Sequence, residues 1–259
     1  MKYSPSLTSL ENLFCKGSLA SIKDKPISYL IGLKFDKEQD IINFSGFTAL
    51  TEFSFSNTLI SGDISAISGL TSLNRINLAQ TNVSGDISAI SGLTALSSFG
   101  LSDTSVSGNI SALSGLTNLT NINLSNTSVS GDISAFSGLT ALTNFVANVT
   151  SISGDISAIS GLTELTNINI GTTTVSGDIQ SLGSCTALTF MELINIPNMR
   201  GEVIDYVIAQ RSHGRTSGNT RFGPSNSVKF NGKVLSGYNN FSWTESTITN
   251  ETTSETVNR

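Results

Sequence analysis

Residues 61–83 read SGDISAISGLTSLNRINLAQTNV, and closely similar strings return at 84–106, 107–129, 130–152 and 153–175. Each copy is 23 residues long and aligns with the next without a gap. A fixed period of this length marks a stacked array, in which no single unit can bury its own apolar face and neighbours must supply the core. Divergent copies flank the regular ones. DIINFSGFTALTEFSFSNTLI ends at Ile60, and SGDIQSLGSCTALTFMELINIPNM fills 176–199 with one extra residue. Residues 7–15 keep an LxxLxxLxC spacing and 22–37 reads as an irregular copy, so the chain holds roughly eight to nine units.

Inside one unit the apolar residues are Leu70, Leu73, Ile76, Leu78, Val83, Ile87 and Ile90, and their spacing changes along the unit. Ile76 and Leu78 alternate with Arg75, Asn77 and Ala79, a period of two that predicts a short strand with one buried face. The following Thr-x-Val-Ser-Gly reads as a turn. Asp86 to Gly92 then sets two apolar residues three apart between an N-cap residue type and a glycine, which suits a single 3₁₀ or α turn. Stacked, such units give a parallel sheet on one side and short turns on the other.

The pattern LxxLxxLxLxxTxVSGxI resembles the leucine-rich repeat. Its SGDI-xx-ISGL portion is similar to the SGxIPxxL segment of the plant-specific subclass, with Ser or Gln in place of the proline. The resemblance covers about residues 7–208. It implies an α/β-type repeat solenoid: a right-handed coil with a parallel β-sheet on the concave face, 3₁₀ or α turns on the convex face and a small C-terminal β-rich cap. It implies no ligand, because fold and function are separable. The organisation expected is an N-terminal cap with irregular repeats at 1–46, regular repeats at 47–199 and a C-terminal helix with a β-rich cap at 200–259.

Charged residues make up 13% of the chain and aromatics 7%, with a net charge of −5 and a pI near 4.8. Neither nucleic acid nor an anionic membrane finds an electrostatic footprint here. No apolar run reaches signal-peptide or membrane-spanning length, so the expectation is synthesis in the cytoplasm with no visible export signal. Cys15 and Cys185 occupy apolar positions of different repeats and read as two buried thiols. No GxSxG, HExxH, P-loop or dinucleotide fingerprint stands in a supporting context, and His213, the sole histidine, sits in an expected loop. The chain is read as non-enzymatic and without a cofactor.

Outward strand positions are small and polar: Ser98, Gly100 and Ser102, then Asn121, Asn123 and Ser125, with Arg75 as the only basic residue between 47 and 199. Binding hot spots favour Trp, Tyr and Arg, so this face is expected to be a poor protein-contact surface, though its Asn and Ser could meet a carbohydrate. Asp63, Asp86, Asn109, Asp132, Asp155 and Asp178 form a ladder, one per unit. Carboxylates ~5 Å apart in water repel by about 0.8 kcal/mol, so each should do local work. The favoured reading is an N-cap or turn acceptor; the alternative is a row of calcium sites, although one carboxylate per turn falls short of the six to eight oxygens that calcium takes. Thr58, Thr81, Thr104, Thr127, Thr150 and Thr173 stand where the family often has Asn and should satisfy backbone groups after the strand.

Both ends change character. Lys2, Lys16, Lys23, Lys25, Lys34 and Lys37 make the N-terminal cap basic. Residues 202–211 predict a helix, Gly214 to Gly223 a loop, and Ser227 to Val234 a hairpin around Asn231-Gly232. Aromatics and positive charge gather after residue 200, so Tyr206, Arg211, Arg215, Arg221, Tyr238, Phe241 and Trp243 are the expected contact surface. The C-terminal stretch FNGKVLSGYNNFSWTESTIT and the near-identical copies resemble leucine-rich-repeat proteins of gut Bacteroidetes and their phages. The expectation is a protein-interaction scaffold, a structural or surface part of a phage virion or other large assembly, with a cell-surface or secreted adhesin binding host protein or glycan as the alternative.

Overall fold

A computed structural model describes residues 9–11, 29–31, 39–196, 198–212, 217–222, 227–230, 233–235, 239–244 and 246–258. Its repeating unit is set out by one copy. A strand Arg75–Asn77 is followed by a tight turn, a second strand Asn82–Asp86 and a 3₁₀ turn Ile87–Ile90, and Leu93 and Leu96 then lead into the strand Ser98–Gly100 of the next unit. Leu70, Leu73, Ile76, Leu78, Val83, Ile87 and Ile90 are all 0–1% exposed, the inward set that the sequence spacing names. The same positions in neighbouring units join them in one continuous core. The strand, the solenoid and the 3₁₀ turn are therefore as the period implies.

Within the repeat, one segment differs from its expected conformation. Thr-x-Val-Ser-Gly is not a turn: Asn82–Asp86 and its equivalents Ser105–Asn109, Ser128–Asp132, Ser151–Asp155 and Thr174–Asp178 are strands of a second sheet, parallel through the repeats and ten-stranded among the described residues. Val83 points inward between the exposed Asn82 and the half-buried Ser84. The turn lies earlier, at Gln80, whose φ is 57°. A strand needs a ladder partner, and here the partner is the equivalent segment of the next unit, as in Ser84 beside Ser105 and Gly85 beside Val106.

Among the described residues the first sheet has 13 strands and runs past the regular repeats at both ends. At the start, Ser9–Glu11 and Tyr29–Ile31 pair in parallel and continue into Glu52–Ser54. Cys15 and the N-terminal lysines lie outside the described residues. At the other end the expected loop at 214–223 contains a strand, Gly218–Phe222, which pairs in parallel with Phe190–Leu193 and antiparallel with Asn239–Trp243. Thr247–Asn250 and Glu255–Asn258 then finish the sheet as antiparallel strands. Ser227–Phe230 extends the second sheet and pairs antiparallel with Lys233–Val234, as a hairpin requires.

Helix α1 (Val203–Ser212) covers the last 3₁₀ turn, Ile179–Ser184. Its Gln210 is fully buried and donates from Nε2 to the carbonyls of Leu182, Gly183 and Cys185 at 3.0, 3.3 and 3.4 Å. One side chain thus serves three carbonyls at the end of the turn, where the Leu182 carbonyl also accepts the Cys185 N–H at 3.0 Å. Cys185 is a buried free thiol whose pKa burial pushes up to about 11. No described helix is long and apolar enough to cross a membrane.

Candidate functional site

The outer face of the first sheet carries two features built by different means. Toward its N-terminal half lies a depression of about 460 Å³ that spans the strands Glu52–Ser54, Arg75–Asn77, Ser98–Gly100, Asn121–Asn123 and the start of Asn144–Val146. It exists because Ala79, Ser98 and Gly100 project little, while Asn77, Asn121 and Asn123 stand on either side. Ile76, Phe99 and Ile122 lie beneath at 1%, 2% and 0% exposure, so the open surface is polar. Arg75 and Glu52 form an ion pair at 3.6 Å on neighbouring strands, which leaves this edge close to neutral.

The asparagines of this face are held, each in a defined way. Asn77, Asn123 and Asn169 accept the amide N–H two residues on, from Ala79, Ser125 and Gly171, at 3.2, 3.1 and 3.2 Å. Asn121 donates to Thr120 Oγ1 at 3.2 Å, and Asn167 donates to Asn144 Oδ1 in a short hydrogen bond.

At the C-terminal end of the same face, Arg221 lies 5.5 Å from the centre of the Phe190 ring and 3.3 Å from Glu192 Oε2. Parallel pairing of Phe190–Leu193 with Gly218–Phe222 sets Arg221 directly beside Glu192. The Arg221 side chain remains 51% exposed and Phe190 is half-buried, so an aromatic ring and an oriented guanidinium are both open to a partner.

The second sheet carries the acidic ladder. Asp63, Asp86, Asn109, Asp132, Asp155 and Asp178 each cap the 3₁₀ turn that follows, accepting the N–H two residues on at 2.8–2.9 Å. Those hydrogen bonds hold the carboxyls of Asp63, Asp86, Asp132 and Asp155 below the usual carboxylate range. Among the described residues, no group of three or more His, Cys, Asp and Glu side chains could hold a metal ion. The calcium alternative therefore has one carboxylate per turn and that carboxylate is already engaged.

Comparison with known proteins agrees with this architecture. The plant peptide hormone receptor RGFR1, solved in complex with RGF2, is similar over 79% of this chain and 32% of its own, with 25% identity and a TM-score of 0.66. The chain is a leucine-rich-repeat protein. The ectodomain of the Arabidopsis thaliana receptor kinase GASSHO1/SCHENGEN3 shares the fold at 21% identity and a TM-score of 0.66, over 79% of this chain and 24% of that one. Internalin C2 of Listeria monocytogenes shares it at 19% identity and a TM-score of 0.59, over 83% of this chain and 84% of that one. The chain thus spans 32% and 24% of the length of the two plant receptors. Neither a protein-family model nor a curated protein sequence matches it.

Within the leucine-rich-repeat frame, three of the seven residues expected as a contact surface after residue 200 are core. Tyr206, Phe241 and Trp243 are 1%, 1% and 3% exposed, and Phe241 packs on Phe222 and Phe230 at ring distances of 5.9 and 4.9 Å. They close the open end of the solenoid, whose last repeat would otherwise expose its apolar interior. Arg211 lies in the last turn of α1; Arg215, Tyr238 and His213 lie outside the described residues. Arg221 alone of the expected set is shown as an exposed side chain. Its partners Phe190 and Glu192 alternate with the buried Met191 and Leu193, a pattern that marks them in the sequence as outward strand positions and nothing more. The Thr ladder does what its position implies: Thr58, Thr81, Thr104, Thr127, Thr150 and Thr173 donate to the carbonyl three residues back at 2.6–2.8 Å.

Proposed function

We propose that this leucine-rich-repeat protein is a non-enzymatic scaffold that binds a partner protein through the C-terminal end of its first sheet. The observation that carries the reading is the Phe190–Glu192–Arg221 cluster, where an exposed guanidinium is fixed over a half-buried ring. Arginine and aromatic side chains held in place before binding lose little freedom when a partner arrives, and these residue types dominate interface energetics. The array supplies rigidity: two sheets, parallel through the repeats, and a continuous core fix the strands that carry the cluster. Complexes solved for similar folds, RGFR1 with RGF2 among them, support protein ligands as a class for this architecture.

The test is affinity of the native partner for the full chain and for Phe190→Ala, Arg221→Ala and the second-sheet control Asn82→Ala. Each of the first two should weaken binding by about tenfold or more, with the control unchanged. Equal affinity across all four proteins overturns the assignment.

The setting we propose is a structural or surface component of a phage virion or other large assembly. The neutral Asn and Ser groups of the first sheet favour a second reading, a secreted or cell-surface adhesin. Co-sedimentation of the native protein with particles supports the first; a free monomer that binds host cells supports the second.

A further inference from the structure

The depression centred on Gly100 shares no residue with the Phe190–Arg221 cluster, and its chemistry is different. Gly100 is not required by the backbone: a Cβ there would meet only Asn77, at 3.4 Å and beyond, and its φ is outside the left-handed region. Its lack of a side chain leaves a hollow. Around that hollow the amides are oriented by bonds made elsewhere. Asn77 and Asn123 use Oδ1 on the backbone, which leaves their Nδ2 groups as donors. Asn144 accepts from Asn167 through Oδ1 and likewise keeps its Nδ2, whereas Asn121 uses an N–H on Thr120 and keeps Oδ1 as an acceptor. The result is a mixed set of three oriented donors and one oriented acceptor without net charge, since Arg75 is paired with Glu52.

We propose that this depression is a binding site for a neutral oligosaccharide. A sugar hydroxyl both donates and accepts, so a ring carrying several of them can satisfy such a mixed array. A protein segment would need apolar pockets for its anchoring side chains, and the apolar residues here are covered. An anionic ligand would have to compete with Glu52 for the one cation. The volume of about 460 Å³ lies within the range of small-ligand sites.

The experiment titrates the full chain with neutral hexasaccharides of glucose, mannose, galactose and N-acetylglucosamine, read by saturation-transfer NMR and calorimetry. At least one should bind saturably. Gly100→Leu, which fills the hollow, should weaken that binding by about tenfold or more, and Asn121→Ala, which removes an acceptor without adding bulk, should weaken it as well. Gly92→Leu is the control, because a Cβ at Gly92 meets nothing within 4 Å. Absence of saturable binding to all four sugars overturns the proposal, as does undiminished binding by both Gly100→Leu and Asn121→Ala. An Asn/Ser-rich peptide that binds in their place and loses affinity in Gly100→Leu would also overturn it, in favour of a polypeptide ligand. Because Phe190 and Arg221 are untouched, either result leaves the protein-contact reading to its own test.

Discussion

Asp86 Oδ1 accepts the Ser88 N–H at 2.8 Å, and the same oxygen would lie 2.5 Å from a Cβ placed on Gly108 in the next repeat. Capping and stacking are therefore one arrangement: the carboxylate that ends one strand sits against the bare backbone of its neighbour. Gly108 also has a φ of 104°, a conformation closed to side chains. Gly108→Ala should destabilise the protein by about 2 kcal/mol or more, measured by chemical denaturation. In a double-mutant cycle, Asp86→Ala should relieve part of that loss; strictly additive effects would refute the coupling.

Acid should weaken the array through its caps. The carboxyls of Asp63, Asp86, Asp132 and Asp155 are held below their ordinary values by the N–H groups of Ser65, Ser88, Ser134 and Ser157. The folded state therefore binds fewer protons than the unfolded state in this window, and stability rises with pH there. The contribution is complete above the unfolded carboxylate value of about 4 and is lost as pH falls through the lower folded values. Asn109 fills the same role without titrating. Replacing the four aspartates by Asn should flatten the dependence of unfolding free energy on pH below about 4, and an unchanged slope would count against the caps as its source.

Val149 occupies a turn position with a φ of 57°, where the equivalent residues include Asn57, Asn126 and Asn195. A β-branched side chain is strained there, and Val149 is also 47% exposed, so little burial offsets the cost. Val149→Asn should raise stability by about 1 kcal/mol and increase Tm by a few degrees in calorimetry. A lower Tm would show that Val149 makes a contact worth more than its strain.

Gln210 ties α1 to the last 3₁₀ turn. Gln210→Leu keeps much of the volume but removes the donor shared by three carbonyls, so it should cost about 2 kcal/mol. The loss should be local first. Hydrogen exchange in 203–212 and 179–185 should accelerate before the central repeats respond, and uniform acceleration would mean that the cap unfolds only with the whole array.

Much of this molecule is legible in its 23-residue period. Ile76, Leu78, Val83, Ile87 and Ile90 declare the inward set, and Asp86 with Ile87 declares a capped turn, because these interactions lie within one unit. Val83 did not disclose its strand, since Asn82–Asp86 is a strand only beside Ser105–Asn109, and that pairing is made between units. The candidate site divides in the same way. Arg221 could be named from its residue type, but the value of Phe190 depends on Arg221 arriving on a neighbouring strand.

The sequence by itself determined that the chain is a solenoid of stacked repeats, because burial within a repeat follows from local alternation and copies of one unit must stack alike. Only the tertiary structure decided which exposed chemistry remains. Trp243, Phe241 and Tyr206 look like a contact surface in one dimension, yet the open end of an apolar core takes them inside. The depression at Gly100 forms because strands one period apart lie side by side and one of them carries no bulk.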